Sequence, residues 1–138
     1  MRLLVAYDGS YPSKKALRRA IEMAKSSEGE LILLTVTEPV CPLGITEEDC
    51  GKLDEILRKQ TGEILKGVEQ DLKSEPFEVK SVVKTGNAAD EIVKYAEQEN
   101  INTIVIGSHG RHGAGKFFLG SVSARVANLS PCSVIIVK

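Results

Sequence analysis

Short apolar runs of strand length alternate with amphipathic segments along the whole chain. The run at 3–7 is continuously apolar, which is typical of a strand buried on both faces. A second apolar run covers 31–36, and a short β-branched run covers 103–106. The run at 77–83 alternates and indicates a strand nearer a sheet edge, and a fifth run covers 133–137. Five strands that alternate with four helices predict one α/β domain, a doubly wound parallel sheet with helices on both faces.

The segments between these runs carry apolar residues at helical spacing. In the first segment, Ser10 is a candidate N-cap and Gly29 marks the end. The third begins at 86–87, and the last opens at Ser121. The second is long, and its expected core-facing side is made of Leu53, Ile56, Leu57, Ile64, Leu65, Val68 and Leu72.

Asp8 and Gly107 each follow the end of an apolar strand, the first and the fourth. In open α/β sheets, ligands bind beyond the carboxyl ends of the strands, where the strand order reverses. A flavodoxin-like or related order would place these two strands side by side. The sequence therefore predicts a ligand site between Asp8 and Gly107.

The composition restricts the class of protein. The chain has 138 residues, with 18 Lys and Arg against 19 Asp and Glu, and a net charge of −1. No basic excess favours nucleic-acid binding, and no apolar run approaches the roughly 20 residues of a membrane span. The opening residues do not resemble a signal peptide. Cys41, Cys50 and Cys132 show neither metal nor disulfide spacing, so we expect reduced thiols in one cytoplasmic domain, 1–138.

A glycine-rich stretch separates the fourth strand from the last helix. Gly107, Gly110, Gly113, Gly115 and Gly120 lie there, and Arg111 and Lys116 add positive charge. Glycine lets the backbone approach a ligand closely, and a helix N-terminus offers unpaired N–H groups and the positive end of its dipole. The arrangement predicts a phosphate-binding loop, and a purely structural turn is the alternative.

Two familiar phosphate-binding motifs do not describe this stretch. The segment 110–116 matches the first seven positions of a P-loop, but Phe117 stands where the Ser or Thr that holds Mg²⁺ belongs. A P-loop also leads directly into its helix, whereas further residues intervene here. The dinucleotide pattern G-x-G-x-x-G fails because Phe118 takes the place of its third glycine.

The spacing that is present resembles another family. Gly107, two residues, Gly110, nine residues, then Gly120-Ser121 is similar to the nucleotide-binding pattern of the universal stress protein family. The resemblance covers the whole chain, from the opening MRLLVAYDGS to the closing block GSHGRHGAGKFFLGSVSARVANLSPCSVIIVK. One departure is Ser133, where family members commonly carry proline, and it affects only the entry to the last strand.

The resemblance implies a sheet of order 3-2-1-4-5 and binding of ATP or another adenine nucleotide, AMP or ADP. By position, the loop and the helix start would hold the phosphates, backbone groups at Ala6 and Val36 would frame the adenine, and Asp8 would meet the ribose. The candidate nucleotide-binding residues are Ala6, Asp8, Val36, Gly107, Ser108, His109, Gly110, Arg111, Gly120, Ser121, Val122 and Ser123.

Several of these residues have a simpler interpretation. Asp8 could cap the turn before Gly9 instead of binding a sugar hydroxyl or a phosphate-bridging Mg²⁺. Ser121 could be an N-cap as well as a phosphate ligand. His109 and His112 have no third ligand nearby in sequence, which argues against a zinc site. We identify no catalytic residue and no metal ligand.

Three functions remain open on the sequence. The first is a nucleotide-binding regulatory or stress-response protein, the second a slow ATPase with Asp8 as its only obvious carboxylate, and the third a dimeric protein-interaction module with a vestigial loop. The family resemblance implies a homodimer through the last strand, 133–137, whose sequence SVIIV is typical of an exposed edge. The segment 37–51 follows the second strand and could cover the site as a lid. The natural nucleotide, its hydrolysis and the partner are open.

Overall fold

The computed structural model describes residues 1–109 and 119–138. In these residues strands and helices alternate as the sequence predicts. The elements are β1 (Arg2–Ala6), α1 (Tyr11–Ser27), β2 (Glu30–Thr37), α2 (Glu47–Asp71), β3 (Glu78–Thr85), α3 (Ala88–Gln98), β4 (Thr103–Gly107), α4 (Ser121–Leu129) and β5 (Ser133–Val137).

The five strands form one sheet of order β3-β2-β1-β4-β5, and every pairing is parallel. This confirms the predicted fold and the edge position of β3. Side chains of the central strand β1 alternate between two apolar layers. Leu3 and Val5 pack in the layer with α1 and α2, and Leu4 packs in the layer with α3 and α4. All three side chains are fully buried, as expected for a strand covered on both faces.

The start of α1 is the predicted one, and the helix ends at Ser27, two residues before Gly29. The hydroxyl of the N-cap Ser10 accepts a hydrogen bond from the N–H of Ser13. At the other end, the C-cap residue Glu28 has a left-handed conformation, with φ 51°. Gly29 is required by packing, because a Cβ there would lie 2.4 Å from the carbonyl oxygen of Met1.

Seven residues of α2 were expected to face the core, and this prediction is wrong for four of them. Leu65 is buried, and Val68 and Leu72 pack partly against the same layer. The other four, all N-terminal to Leu65, are exposed: Leu53, Ile56, Leu57 and Ile64. The helix carries a wider apolar arc than the sheet covers, because β3, against which it packs, is an edge strand.

Two of the three cysteines contradict the sequence-based expectation. Cys41 and Cys50 form a disulfide, with their Cα atoms 5.4 Å apart, whereas Cys132 is free as expected. The pairing is possible because the segment after β2 turns back at Gly44, with φ +88°, and leads into the first turn of α2. The expectation of a reducing compartment rested on three free thiols, so this disulfide removes its main argument.

Among the described residues, no helix is long and apolar enough to cross a membrane.

Candidate functional site

A cavity of about 340 Å³ opens at the carboxyl edge of the sheet, where β1, β2 and β4 end and where α3 and α4 begin. Its position is the switch point of the strand order, between β1 and β4, where α/β sheets bind ligands. Its volume falls in the range of small-molecule sites, about 300–1,000 Å³. The lining residues are Ala6, Tyr7, Asp8, Ser13, Leu34, Val36, Glu38, Ala88, Ile92, Ile106, Gly107, His109, Gly120, Ser121, Val122 and Ser123.

The end of β4 and the start of α4 are joined through Ser108. Its carbonyl oxygen accepts hydrogen bonds from the N–H of Gly120 at 2.7 Å and from the hydroxyl of Ser123 at 2.9 Å. Its own N–H donates to the carbonyl of Val137 on β5 at 2.9 Å. These bonds hold the N-terminus of α4 beside the carboxyl end of β4 and therefore at the cavity.

Gly107, the last residue of β4, lies very close to the first turn of α1. A Cβ at this position would lie 2.8 Å from the backbone and from the Cβ of Pro12, in the first turn of α1. The glycine is thus required by packing between β4 and α1, independently of any ligand.

Among the described residues, no side chain caps the N-terminus of α4. The N-cap residue is Gly120, and Ser121, which the sequence offered as a possible N-cap, is the first residue of the helix itself. Ser121 is exposed and lines the cavity together with Val122 and Ser123. A helix end of this kind presents N–H groups and the positive end of the helix dipole, so it can receive an anion.

Asp8 has the structural role that its turn position suggests. Its Oδ1 accepts a hydrogen bond from the N–H of Ser10 at 2.9 Å, and its own N–H points to the hydroxyl oxygen of Ser13 at 3.4 Å. The same residue lines the cavity. Burial, and secondly the charge of Asp8, raise the pKa of the neighbouring Tyr7 phenol, whose side chain packs in the layer with α1 and α2.

The backbone of Val36 is directed toward the cavity. The carbonyl of Leu34 accepts from the N–H of Tyr7, and the carbonyl of Thr37 accepts from the N–H of Gly86. Because the N–H and C=O groups of successive residues point to opposite neighbours, Leu34 and Val36 face the side of β1, and Thr37 faces β3. At the level of Val36, β1 has already ended. The N–H and C=O of Val36 are therefore a donor and an acceptor at the edge of the cavity.

The whole chain, residues 1–138, matches the model of the universal stress protein family. The chain belongs to this family. The universal stress protein YxiE of Bacillus subtilis is 34% identical to it, over 99% of this chain and 98% of that protein. The solved structure of MJ0577 from Methanocaldococcus jannaschii is 28% identical with a TM-score of 0.86, over 99% of this chain and 94% of that one.

Two further solved structures of universal stress proteins have the same fold and are described with a nucleotide. One is a complex with cAMP, 23% identical with a TM-score of 0.66, covering 100% of this chain and 97% of that one. The other, from Arabidopsis thaliana, has AMP bound and is 19% identical with a TM-score of 0.71, covering 100% of this chain and 91% of that one.

In this universal stress protein the cavity brings together most of the residues that the sequence proposed. Nine of them line it: Ala6, Asp8, Val36, Gly107, His109, Gly120, Ser121, Val122 and Ser123. Ser108 is not among the lining residues, but its backbone bonds hold the start of α4 at the cavity. Its hydroxyl oxygen also lies 2.9 Å from Nδ1 of His109. Gly110 and Arg111 lie outside the described residues, and so do His112 and Lys116.

The sequence analysis missed lining residues on both sides of the sheet. Glu38 comes directly after β2, so the rule that selected Asp8 and Gly107 from their strand ends could also have selected it. Ala88 and Ile92 belong to the first two turns of α3, and no local pattern indicates that this helix contributes to the cavity. In the described part of the chain, no group of three or more metal-ligating side chains is found.

Proposed function

We propose that this universal stress protein binds an adenine nucleotide (ATP, ADP or AMP) in the cavity and acts as a regulatory or stress-response protein. The observation that carries the proposal is the composition of the two ends of the cavity. The N-terminus of α4 lies at one end, and the backbone donor and acceptor of Val36 lie at the other. Between them the walls are largely apolar.

The end near β2 suits a purine base. Val36, Ala88 and Ile92 supply apolar surface there, and Val122 and Ile106 face them from α4 and β4. The edge of adenine carries an acceptor, N1, beside a donor, the 6-amino group. The N–H and C=O of Val36 are the matching pair, which agrees with the role that the family resemblance implies for this residue.

The other end suits phosphates. Ser121 and Val122 begin α4 and offer backbone N–H groups, and the hydroxyl of Ser121 is exposed beside them. Asp8 lies at the end of β1 between the two ends of the cavity, where a ribose would pass. A carboxylate there can accept from a sugar hydroxyl, or it can share a Mg²⁺ ion that arrives with the phosphates.

Relatives support the choice of an adenine nucleotide. A universal stress protein with cAMP and another with AMP have the same fold as this chain. Both ligands contain adenine, ribose and one phosphate, and the cavity offers surfaces of the corresponding kinds. Proteins of this family thus use the fold for adenine nucleotides, and we extend that use to this chain.

The proposal is tested by isothermal titration of ATP with Mg²⁺ into protein stripped of bound nucleotide by reversible unfolding. The decisive variant is Ser121→Asp, because an aspartate in the first turn is compatible with the helix dipole but repels phosphates. Asn128→Asp adds the same charge at an exposed site near the other end of α4. We expect Ser121→Asp to weaken binding by roughly tenfold or more, a loss of about 1.4 kcal/mol, and Asn128→Asp to leave it unchanged. Absence of binding to the wild type would refute the proposal.

We also infer that the protein forms a homodimer through β5. This strand is an edge of the sheet, and four of its five side chains are half-buried in the single chain. The carbonyl of Val137 bonds to Ser108 at the end of β4, so by alternation the N–H groups of Val134 and Ile136 point away from the sheet. A second copy could pair with these groups.

A proline at Val134 tests this inference, because it removes an outward N–H without removing a bond to β4. We expect the wild type to be a dimer by size-exclusion chromatography with light scattering, and Val134→Pro to be a folded monomer by the same measurement and circular dichroism. A wild type that is monomeric at micromolar concentration would show that β5 does not mediate self-association.

A further inference from the structure

Glu38 lies at the end of the cavity opposite the N-terminus of α4. It follows the last residue of β2 and lines the cavity near Val36. Its Oε1 accepts a hydrogen bond from the N–H of Ala88, the first residue of α3, at 3.1 Å. The side chain of Glu38 is exposed, and one of its carboxylate oxygens is engaged by the start of α3.

A carboxylate at this position is the wrong group for a phosphate, which it would repel. It is suited to a neutral hydrogen-bond donor, because an ionised carboxylate only accepts hydrogen bonds. The surrounding walls are the apolar side chains of Val36, Ala88 and Ile92, which suit a base rather than a sugar. The donor that an adenine nucleotide brings to such a place is the amino group of its base.

We propose that the second carboxylate oxygen of Glu38 accepts a hydrogen bond from the exocyclic amino group of the bound base, and so selects nucleotides that carry this group. The inference rests on the proposed function. An amino group has two hydrogens, so it can donate one to the carbonyl of Val36 and the other to Glu38. A base without an amino group cannot make this hydrogen bond to a charged group, so it binds more weakly.

The test is a thermodynamic cycle with two ligands and two proteins. The ligands are ATP and purine riboside triphosphate, which has hydrogen in place of the amino group. The proteins are the wild type and Glu38→Gln. Glutamine keeps an oxygen for the N–H of Ala88, but its second group is a donor and cannot accept from the amino group. Glu97→Gln removes the same charge from an exposed position of α3 and is the control.

We expect the wild type and Glu97→Gln to bind ATP much more tightly than purine riboside triphosphate. In Glu38→Gln this preference should shrink by roughly tenfold, the size expected for a hydrogen bond to a charged group. An unchanged melting temperature of the free variant shows that the cap of α3 is intact.

Equal preferences in the wild type and Glu38→Gln would overturn this inference and leave Glu38 as a cap of α3, with the proposed function still standing. If the wild type bound neither ligand, the proposed function and this inference would both fall.

Discussion

The hydroxyl of Ser123 donates a hydrogen bond to the carbonyl oxygen of Ser108, 2.9 Å away and 15 residues earlier in the chain. The same hydroxyl lies 3.0 Å from the carbonyl of Gly120. Both serines are buried, although neither belongs to an apolar layer of the core. This contact ties the end of β4 to the first turn of α4, so the phosphate end of the proposed site depends on a side chain that does not itself need to touch a ligand.

Replacement of Ser123 by alanine should therefore reduce stability. The hydroxyl is buried, so its loss removes a hydrogen bond that water cannot replace, and we expect a decrease of about 1 kcal/mol in the free energy of unfolding. Ser121→Ala, two residues earlier at an exposed position, should change it by no more than about 0.5 kcal/mol. Urea denaturation of both variants measures the difference. A loss of stability in Ser121→Ala as large as in Ser123→Ala would contradict the assignment of these roles.

Replacement of Gly107 and of Gly67 by alanine should change the stability in opposite directions. In Gly107→Ala the new methyl group would meet the backbone of Pro12 at 2.8 Å, so we expect a loss of about 1–3 kcal/mol in stability from overpacking. Gly67 lies within α2 with nothing near the position of a Cβ, so Gly67→Ala should stabilise by up to about 1 kcal/mol. Thermal unfolding of both variants measures the signs. A Gly107→Ala protein as stable as the wild type would show that the junction of β4 and α1 adapts.

The fold was predictable because continuous apolar strands and amphipathic helices alternate without interruption. The first residues of α4 and β5 agree with the sequence-based prediction, since Ser121 and Ser133 begin these elements as expected. The contribution of Glu38 to the cavity and the disulfide between Cys41 and Cys50 were not predicted. The strand-end rule could have selected Glu38, whereas the disulfide depends on how the segment after β2 turns back toward α2, and no periodic pattern describes that segment.

The exposed face of α2 could not be predicted for a related reason. Hydrophobic periodicity identifies the apolar side of a helix, but it does not say how much of that side a neighbour covers. Leu65 and Ile64 are adjacent in sequence, and their side chains are 1% and 64% exposed. Adjacent residues of an α-helix point about 100° apart, and of this pair only Leu65 is directed into the apolar layer beneath the helix.

This adjacent pair gives a stability prediction. Leu65→Ala should lower the free energy of unfolding by about 2–5 kcal/mol, because it removes buried methyl groups and leaves a cavity between α2 and the sheet. Ile64→Ala should have an effect within about 0.5 kcal/mol, since the side chain is in contact with water in the single chain. Urea midpoints of the two variants at unchanged slope give the comparison. A large loss in Ile64→Ala would mean that this face is covered in solution.

The disulfide should stabilise the folded chain by restricting the unfolded one. Cys41 and Cys50 are separated by 9 residues in sequence, and closure of a loop of this length corresponds to roughly 2.5 kcal/mol by chain entropy. Cys41→Ser is the cleaner variant because Cys41 is exposed, whereas Cys50 is buried and a serine there would add a desolvation cost. We expect Cys41→Ser to lose about this amount of stability in denaturant unfolding under oxidising conditions. A thiol reductant should lower the wild type to the level of the variant and leave the variant unchanged. If the reductant had no effect on the wild type, the two cysteines would not be paired in solution, and the original expectation of three free thiols would be restored.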